Sequence, residues 1–372
     1  MPVPMPQNRR ETPSIFRPLR VRALRVLLPA LALALPGVAC AQAGDDAAFR
    51  AAMLAAERGQ PVAPAMQSHP AGAWLELAAL RRNLDTLPLA QGRDFIARHQ
   101  NQPVAEVFRE GWLRALAKRQ EWAAVREAWV PGTTNATLRC IELDARARTG
   151  ATDAQWTRDA QALWRSSGSS LPNECDAPFA TLASRGGLGD DLRWERFDLA
   201  VAEQDVGVMR SVARGLTIGQ QALAEDYAAY MAAPHARALQ WPKTARSRLV
   251  ASHGLARFAK DDPLAAEAQL PAIATALGFT DADTGRVLYQ AALWTVASYL
   301  PDSARLLGRV PESAYDVRLH EWRVREALAR KDWAAALTAI RKMGDSQRSQ
   351  SRWTWFQART TELTGDLSLI HI

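Results

Sequence analysis

The chain has 372 residues, with 46 Lys and Arg against 39 Asp and Glu, a formal net charge of +7. Six arginines (Arg9, Arg10, Arg17, Arg20, Arg22, Arg25) and one acid (Glu11) fall in the first 41 residues, which leaves +2 for the remaining 331. A nearly neutral body, with short arginine clusters mixed among acids, lacks the basic stripe that a nucleic-acid partner needs.

The first element in chain order is a leader. Residues 26–38 (VLLPALALALPGV) carry no charge. They fall short of the roughly 20 apolar residues of a membrane span and contain two prolines. ACAQA follows, where Ala39 and Ala41 fit a small-x-small cleavage site. Residues 1–41 are therefore expected to be a cleaved export signal, and residues 42–366 the working protein. Acylation of Cys40 as a lipoprotein anchor is the rival, but Gly37 stands where such signals usually carry Leu. No later run reaches spanning length, so no integral membrane segment is expected after cleavage.

Beyond the leader, apolar residues recur at spacings of three and four, broken by short polar, Gly or Pro stretches. Helices are expected at about 45–57, 71–82, 104–118, 121–129, 134–148, 153–165, 189–202, 219–233, 244–260, 281–298, 313–329, 332–343 and 348–364. The 104–118 stretch shows the pattern best: Val104, Val107, Phe108, Trp112, Leu113 and Leu116 share one face, and Glu106, Arg109, Glu110 and Arg114 the other. Pro103, Asp153, Asp281 and the Asp261–Asp262–Pro263 run read as helix starts. Gly59, Gly150, Gly278 and Gly365 read as stops. Nothing alternates as a strand does.

Helices of ten to seventeen residues joined by short breaks pair into hairpins. An internal echo supports repetition: RALAKRQEWAAVREAW (114–129) and EALARKDWAAALTAIRKM (326–343) share a helix, a polar turn and a second helix opening on Trp122 or Trp333. The fold class expected is all-α, a right-handed superhelix of irregular TPR-like or HEAT-like helix pairs, with no single consensus period. At helical spacing beside small residues, the tryptophans read as packing rather than as sugar-stacking platforms.

Cys140 and Cys175 remain after the leader, and in an exported chain two cysteines are expected to pair. The histidines (His69, His99, His235, His253, His320, His371) are scattered singly, with no metal-ligand spacing. Phosphate loops, the nucleophile elbow and zinc-protease motifs are absent, so no catalytic residue, cofactor or metal is assigned. Asp190–Asp191 and Asp261–Asp262 imitate paired catalytic carboxylates, but both stand at expected helix starts, where an acid favours the helix dipole.

The run LWRSSGSSLPNECDAPFATLASRG (163–186), with Cys140 upstream in LRCIELDARARTG, resembles the helical arm of the soluble lytic murein transglycosylases. There a similar cysteine pair brackets a helix that ends in a polar turn and a P-N-x-C-D segment, matched here by Pro172, Asn173, Cys175 and Asp176. AWLELAALRRNL (73–84), the turn at Trp122, the run to Trp333 and RWTWFQARTTELTGD (352–366) resemble segments of that arm in the same order. The resemblance implies a periplasmic, cofactor-free enzyme that cleaves the bond between N-acetylmuramic acid and N-acetylglucosamine and leaves a 1,6-anhydro end. It implies peptidoglycan glycan strands, and cell-wall proteins, as partners of the full-length protein.

In that family a single glutamate acts in a C-terminal lysozyme-like domain marked by E-S-A-aromatic, G-L-M-Q and A-Y-N-A-G runs. Here Glu312, Ser313, Ala314 and Tyr315 spell the first, but neither of the others follows. Ser313 is read as a helix cap with Asp316 three residues on, and Glu312 is not assigned a catalytic role. Residues 367–372 (LSLIHI) match what a common sequencing adapter encodes and are expected to be an artificial tail. The chain is thus expected to be the arm alone and catalytically silent. The alternative is a stand-alone periplasmic TPR-like adaptor that binds protein.

Overall fold

The computed structural model describes residues 37–365, with side chains from residue 46 onward. The expected leader and the Cys40 alternative fall outside the described residues or their side chains. The 367–372 tail and His371 also lie outside them. Among the described residues every regular element is helical.

The chain divides into two compact units, one ending at Ala79 and one beginning at Leu80. The first contains α1 (Gly37–Arg58), α2 (Pro64–Gln67) and most of α3 (Gly72–Arg81). Its core holds Ala52, Ala56, Leu75, Leu77 and Ala78, and the Phe49 and His69 rings meet at 4.8 Å. The second unit begins with α4 (Leu89–His99), α5 (Pro103–Lys118), α6 (Trp122–Ala128), α7 (Ala136–Arg148), α8 (Ala154–Trp164) and α9 (Asp176–Ser184). It continues with α10 (Asp190–Glu203), α11 (Val206–Ala213), α12 (Ile218–Ala232), α13 (Ala245–Phe258), α14 (Pro263–Leu277) and α15 (Asp281–Ala297). It ends with α16 (Ser303–Arg309), α17 (Val317–Ala329), α18 (Trp333–Arg341), α19 (Asp345–Arg348) and α20 (Ser351–Thr364).

The main contacts in this unit run from each helix to the next and the next but one: α5 meets α6 and α7, α13 meets α14 and α15, and α18 meets α20. A helix pair buries one apolar stripe within itself and a second against its neighbour, so stacking is what completes each core. The largest core runs continuously from Cys140 to Leu319, with Trp156, Phe197, Tyr227 and Tyr230 wholly enclosed. Trp112, Trp156 and Trp353 are fully buried and Trp164, Trp194 and Trp241 nearly so, which is the packing expected of them.

The turns explain the internal echo. Gln120 and Lys331 both adopt the left-handed conformation, at φ 59° and 60°. In each case the N–H of the next residue, Glu121 or Asp332, reaches back to a carbonyl five residues earlier, at 2.9 Å. This closes the first helix and aims the second. A third copy sits at Gln204 (φ 60°) and Asp205. Gly59, Gly150, Gly278 and Gly365 end their helices at φ 70–80°.

The expected helix at 313–329 needs correction. Glu312–Ala314 is a separate 3₁₀ turn, and α17 starts at Val317, where the Asp316 carboxylate accepts the Leu319 N–H at 2.8 Å. Asp316, not Ser313, is the cap; a carboxylate meets the exposed N–H groups of a helix start better than a hydroxyl held in a preceding turn. The starts at Asp153 and Asp262 are as expected, each accepting an N–H three residues on, from Trp156 and Ala265. At the 281 start the cap is Thr280, in a reciprocal capping box with Asp283.

Candidate functional site

The 163–186 segment, which carries the sequence resemblance, is tied down at three places. Asn135 caps α7, accepting the Leu138 N–H at 3.3 Å, so that Cys140 enters the core one turn later. Pro172 cannot continue a helix, and a single 3₁₀ turn, Asn173–Cys175, carries Cys175 onto the first turn of α9. Cys140 and Cys175, both buried, are joined as a disulfide with Cα atoms 4.8 Å apart.

The loop between them is clamped by two acids at the end of α10. Glu203 accepts the Gly168 N–H at 2.9 Å and the Ser169 hydroxyl, and Asp205 accepts the Ser170 N–H at 3.2 Å while also capping α11 through Val208 at 3.0 Å. The Ser169 hydroxyl first, then the Gly168 N–H, hold the Glu203 carboxyl below the usual range. Gly168 lies against the backbone of Leu199 and Ala200 so closely that a Cβ would overlap it. A small cavity opens beside this clamp, walled by Cys175, Phe179, Arg196 and Asp205.

The carboxylates singled out from the sequence do not form a catalytic pair. Glu312 lies on the surface between two cations, 2.5 Å from Lys342 Nζ and 3.2 Å from Arg323. Partial burial pushes its carboxyl up, but the hydrogen bonds from Lys342 and Arg323 outweigh it and leave the group below the usual range. A glycosidase acid needs the opposite shift, to keep its proton near neutral pH. Asp190 and Asp191 lie in the first turn of α10, but Asp190 spends its oxygens on the start of α12, accepting from the Thr217 N–H and the Gln220 amide at 3.2 and 3.0 Å.

The histidines do structural work in different places. His69 accepts the Ala71 N–H at 3.1 Å, His99 lies against the Phe95 ring at 4.7 Å, and His235 meets Tyr230 edge-on at 5.4 Å. His320 faces Tyr315 at 5.0 Å, and His253 is partly buried in α13. Among the described residues no His, Cys, Asp and Glu side chains gather in a group that could hold a metal ion, and no helix is long and apolar enough to cross a membrane.

One feature was invisible in the sequence: Arg196, in the run RWERF, reads as a solvated helix charge but is only 6% exposed. Only its neighbours Trp194 and Phe197, both core residues, hint that this turn faces inward.

No family model and no curated protein sequence matches the chain. Solved structures do. An inactive mutant of the lytic transglycosylase Slt from Pseudomonas aeruginosa is 24% identical, with a TM-score of 0.62 over 87% of this chain and 53% of that one. The 70 kDa soluble lytic transglycosylase of Escherichia coli is 21% identical, with a TM-score of 0.69 over 88% of this chain and 52% of that one. A 70 kDa soluble lytic transglycosylase in complex with bulgecin A matches with the same figures. The chain spans about half the length of these proteins, and over that half it has the helical fold of the soluble lytic transglycosylases.

Proposed function

We propose that the chain is the helical arm of a periplasmic lytic transglycosylase, exported by a signal at residues 1–41 and severed from its catalytic domain. The observation that carries this reading is the likeness to two lytic transglycosylases over 87–88% of this chain and only 52–53% of theirs. The Cys140–Cys175 staple in the P-N-x-C-D segment adds to it. In the full-length protein the arm holds or orients peptidoglycan strands while a separate domain cleaves the bond between N-acetylmuramic acid and N-acetylglucosamine to a 1,6-anhydro product. Repeat arrays suit that task because they offer broad surfaces built from successive helix pairs. Residues 367–372 are then foreign to the gene.

Sequencing the source DNA across the codon for Asp366 tests this. A frame that runs on into E-S-A-aromatic, G-L-M-Q and A-Y-N-A-G supports the enzyme, whose full length should release anhydro-muropeptides while residues 42–366 release none. A genuine LSLIHI followed by a stop overturns it and leaves the protein-binding adaptor. Muramidase activity in the chain itself that disappears in Glu312→Gln overturns the reading of Glu312 as an ion-paired surface group.

A further inference from the structure

Arginines stack on aromatic rings throughout this molecule, and they do so to a pattern. Arg246 lies 4.2 Å from the Trp194 ring and holds both oxygens of Asp198, at 2.7 and 2.9 Å. Arg119 over Trp112 pairs with Glu121, and Arg323 over Tyr315 pairs with Glu312. Arg98, Arg148, Arg325 and Arg352 are likewise stacked and paired with Asp94, Asp144, Glu321 and Glu321. The ring takes one face of the guanidinium, and the carboxylate takes its N–H edge.

Arg196 departs from this pattern among the described residues. Its guanidinium carbon lies 4.3 Å from the Trp164 ring centroid and 5.8 Å from that of Phe179, and no carboxylate completes it. The side chain is 6% exposed, and its Nε is sealed from water with no acceptor. Burying a cation with no direct ion-pair partner is costly, so a fold that keeps one has a use for it.

Arg196 lines a cavity of about 310 Å³. Asp205 also lines it and its charge favours the Arg196 cation, but its oxygens are engaged by the Val208 and Ser170 N–H groups and it forms no direct ion pair with Arg196. Phe179 and Val208 give the wall an apolar stretch, and the exposed Asp176 stands on the same lining.

We propose that this cavity binds the free carboxy terminus of an amino acid or short peptide. The ligand's carboxylate accepts hydrogen bonds from the terminal guanidinium nitrogens of Arg196, as Asp198 does from Nη2 of Arg246. Its ammonium or amide N–H faces Asp176, and a small side chain rests on Phe179 and Val208. Two acids on the same lining disfavour a dianion such as phosphate, and the volume suits one or two small residues.

Calorimetric titration of the purified chain tests this with alanylalanine in its L,L and D,D forms, alaninamide, acetate and inorganic phosphate. Saturable binding of an alanylalanine is expected, with alaninamide weaker by about tenfold or more because it lacks the carboxylate. Preference for the D,D form points to cell-wall peptides as the source, and preference for the L,L form to ordinary protein ends. Arg196→Met should abolish binding with the helical circular dichroism retained. Ser211→Trp, at an exposed lining position, should block the mouth with Arg196 intact. The proposal is overturned if no alanylalanine binds, if alaninamide, acetate or phosphate binds equally well, or if a folded Arg196→Met or Ser211→Trp variant binds as the wild type does.

Discussion

Arg305 grips both oxygens of Glu267, with Nη1 and Nη2 at 2.7 and 2.8 Å, and ties α16 to α14. Arg309, one turn further along α16, adds a third bond to the same carboxylate. The Glu267 side chain is only 9% exposed, whereas Arg305 and Arg309 are nearly half exposed. This is a bidentate pair at the rim of the core, stronger than an isolated surface pair and weaker than one fully enclosed.

Glu267→Gln should therefore lower stability by about 1–2 kcal/mol, measured as the urea midpoint at pH 7. The bonds from Arg305, opposed by burial and reinforced by Arg309, hold the Glu267 carboxyl below the usual range. Its contribution is thus complete above the ordinary carboxylate pKa of about 4.3 and is lost as pH falls through the lower folded value. The gap between wild type and variant should narrow as pH falls below about 4.3; a gap that stays constant through that fall would show that the loss comes from packing instead.

The left-handed residues Gln120, Gln204, Tyr299 and Lys331, each closing a helix, give a second prediction. Lys331 is exposed and stands at φ 60°, a conformation that costs an L-residue about 1 kcal/mol and glycine nothing. Lys331→Gly should raise stability by about 0.5–1 kcal/mol, and Lys331→Val should lower it. If glycine gives no gain, the turn is held by its side chain rather than strained by its backbone.

The same turns show what could be read in advance. The repeat of R-x-x-W at Trp122 and Trp333 exposes two of them, but those at Gln204 and Tyr299 are followed by no Trp at the matching place and leave no mark. Helices α4, α9 and α11 fall outside the ranges expected from the spacing, and Gly92, Pro178 and Gly207 interrupt their patterns. Gly92 is instead a contact, since a Cβ there would press into the Trp112 ring. Pro178 sits in the first turn of α9, where its missing N–H costs nothing. For α14 both ends are legible, Asp262 and Gly278, but the run between has only Glu267, Gln269 and Thr275 as polar residues and is interrupted by Pro271, so no polar face stands out. The disulfide followed from counting cysteines, whereas Arg196 could not be found that way, because burial of a charge depends on the three helices around it.

Disrupting that disulfide should be costly. It closes a loop of 35 residues, for which the chain-entropy account gives about 3–4 kcal/mol. The double variant Cys140→Ser, Cys175→Ser should lower the thermal midpoint, and amide exchange should quicken first over residues 163–186. A uniform rise in exchange along the whole array would show instead that the repeats melt as one unit.

The tryptophans test packing against ligand stacking. Trp156 has no exposed surface, and its indole N–H donates to the Leu143 carbonyl at 2.8 Å, while Trp355 on α20 is 62% exposed. Trp156→Ala should cost about 3–5 kcal/mol, and Trp355→Ala should stay within about 0.5 kcal/mol. A loss of peptidoglycan binding in Trp355→Ala at unchanged stability would return a stacking role to that one ring.

His253 sets the behaviour in mild acid. Burial chiefly, with the Arg286 cation beside it and Asp283 working against both, pushes its pKa down to about 4. In the unfolded chain the same imidazole takes up a proton near pH 6.5. As pH falls from 6.5 the unfolded state binds the proton first, so the stability this residue contributes is whole above 6.5 and drains away down to about pH 4. The thermal midpoint of the wild type should fall between pH 7 and 4.5, and His253→Gln, which cannot titrate, should fall less. Equal losses in the two proteins would place the acid sensitivity on the carboxylates, whose pairs with arginine fail at lower pH, and not on this histidine.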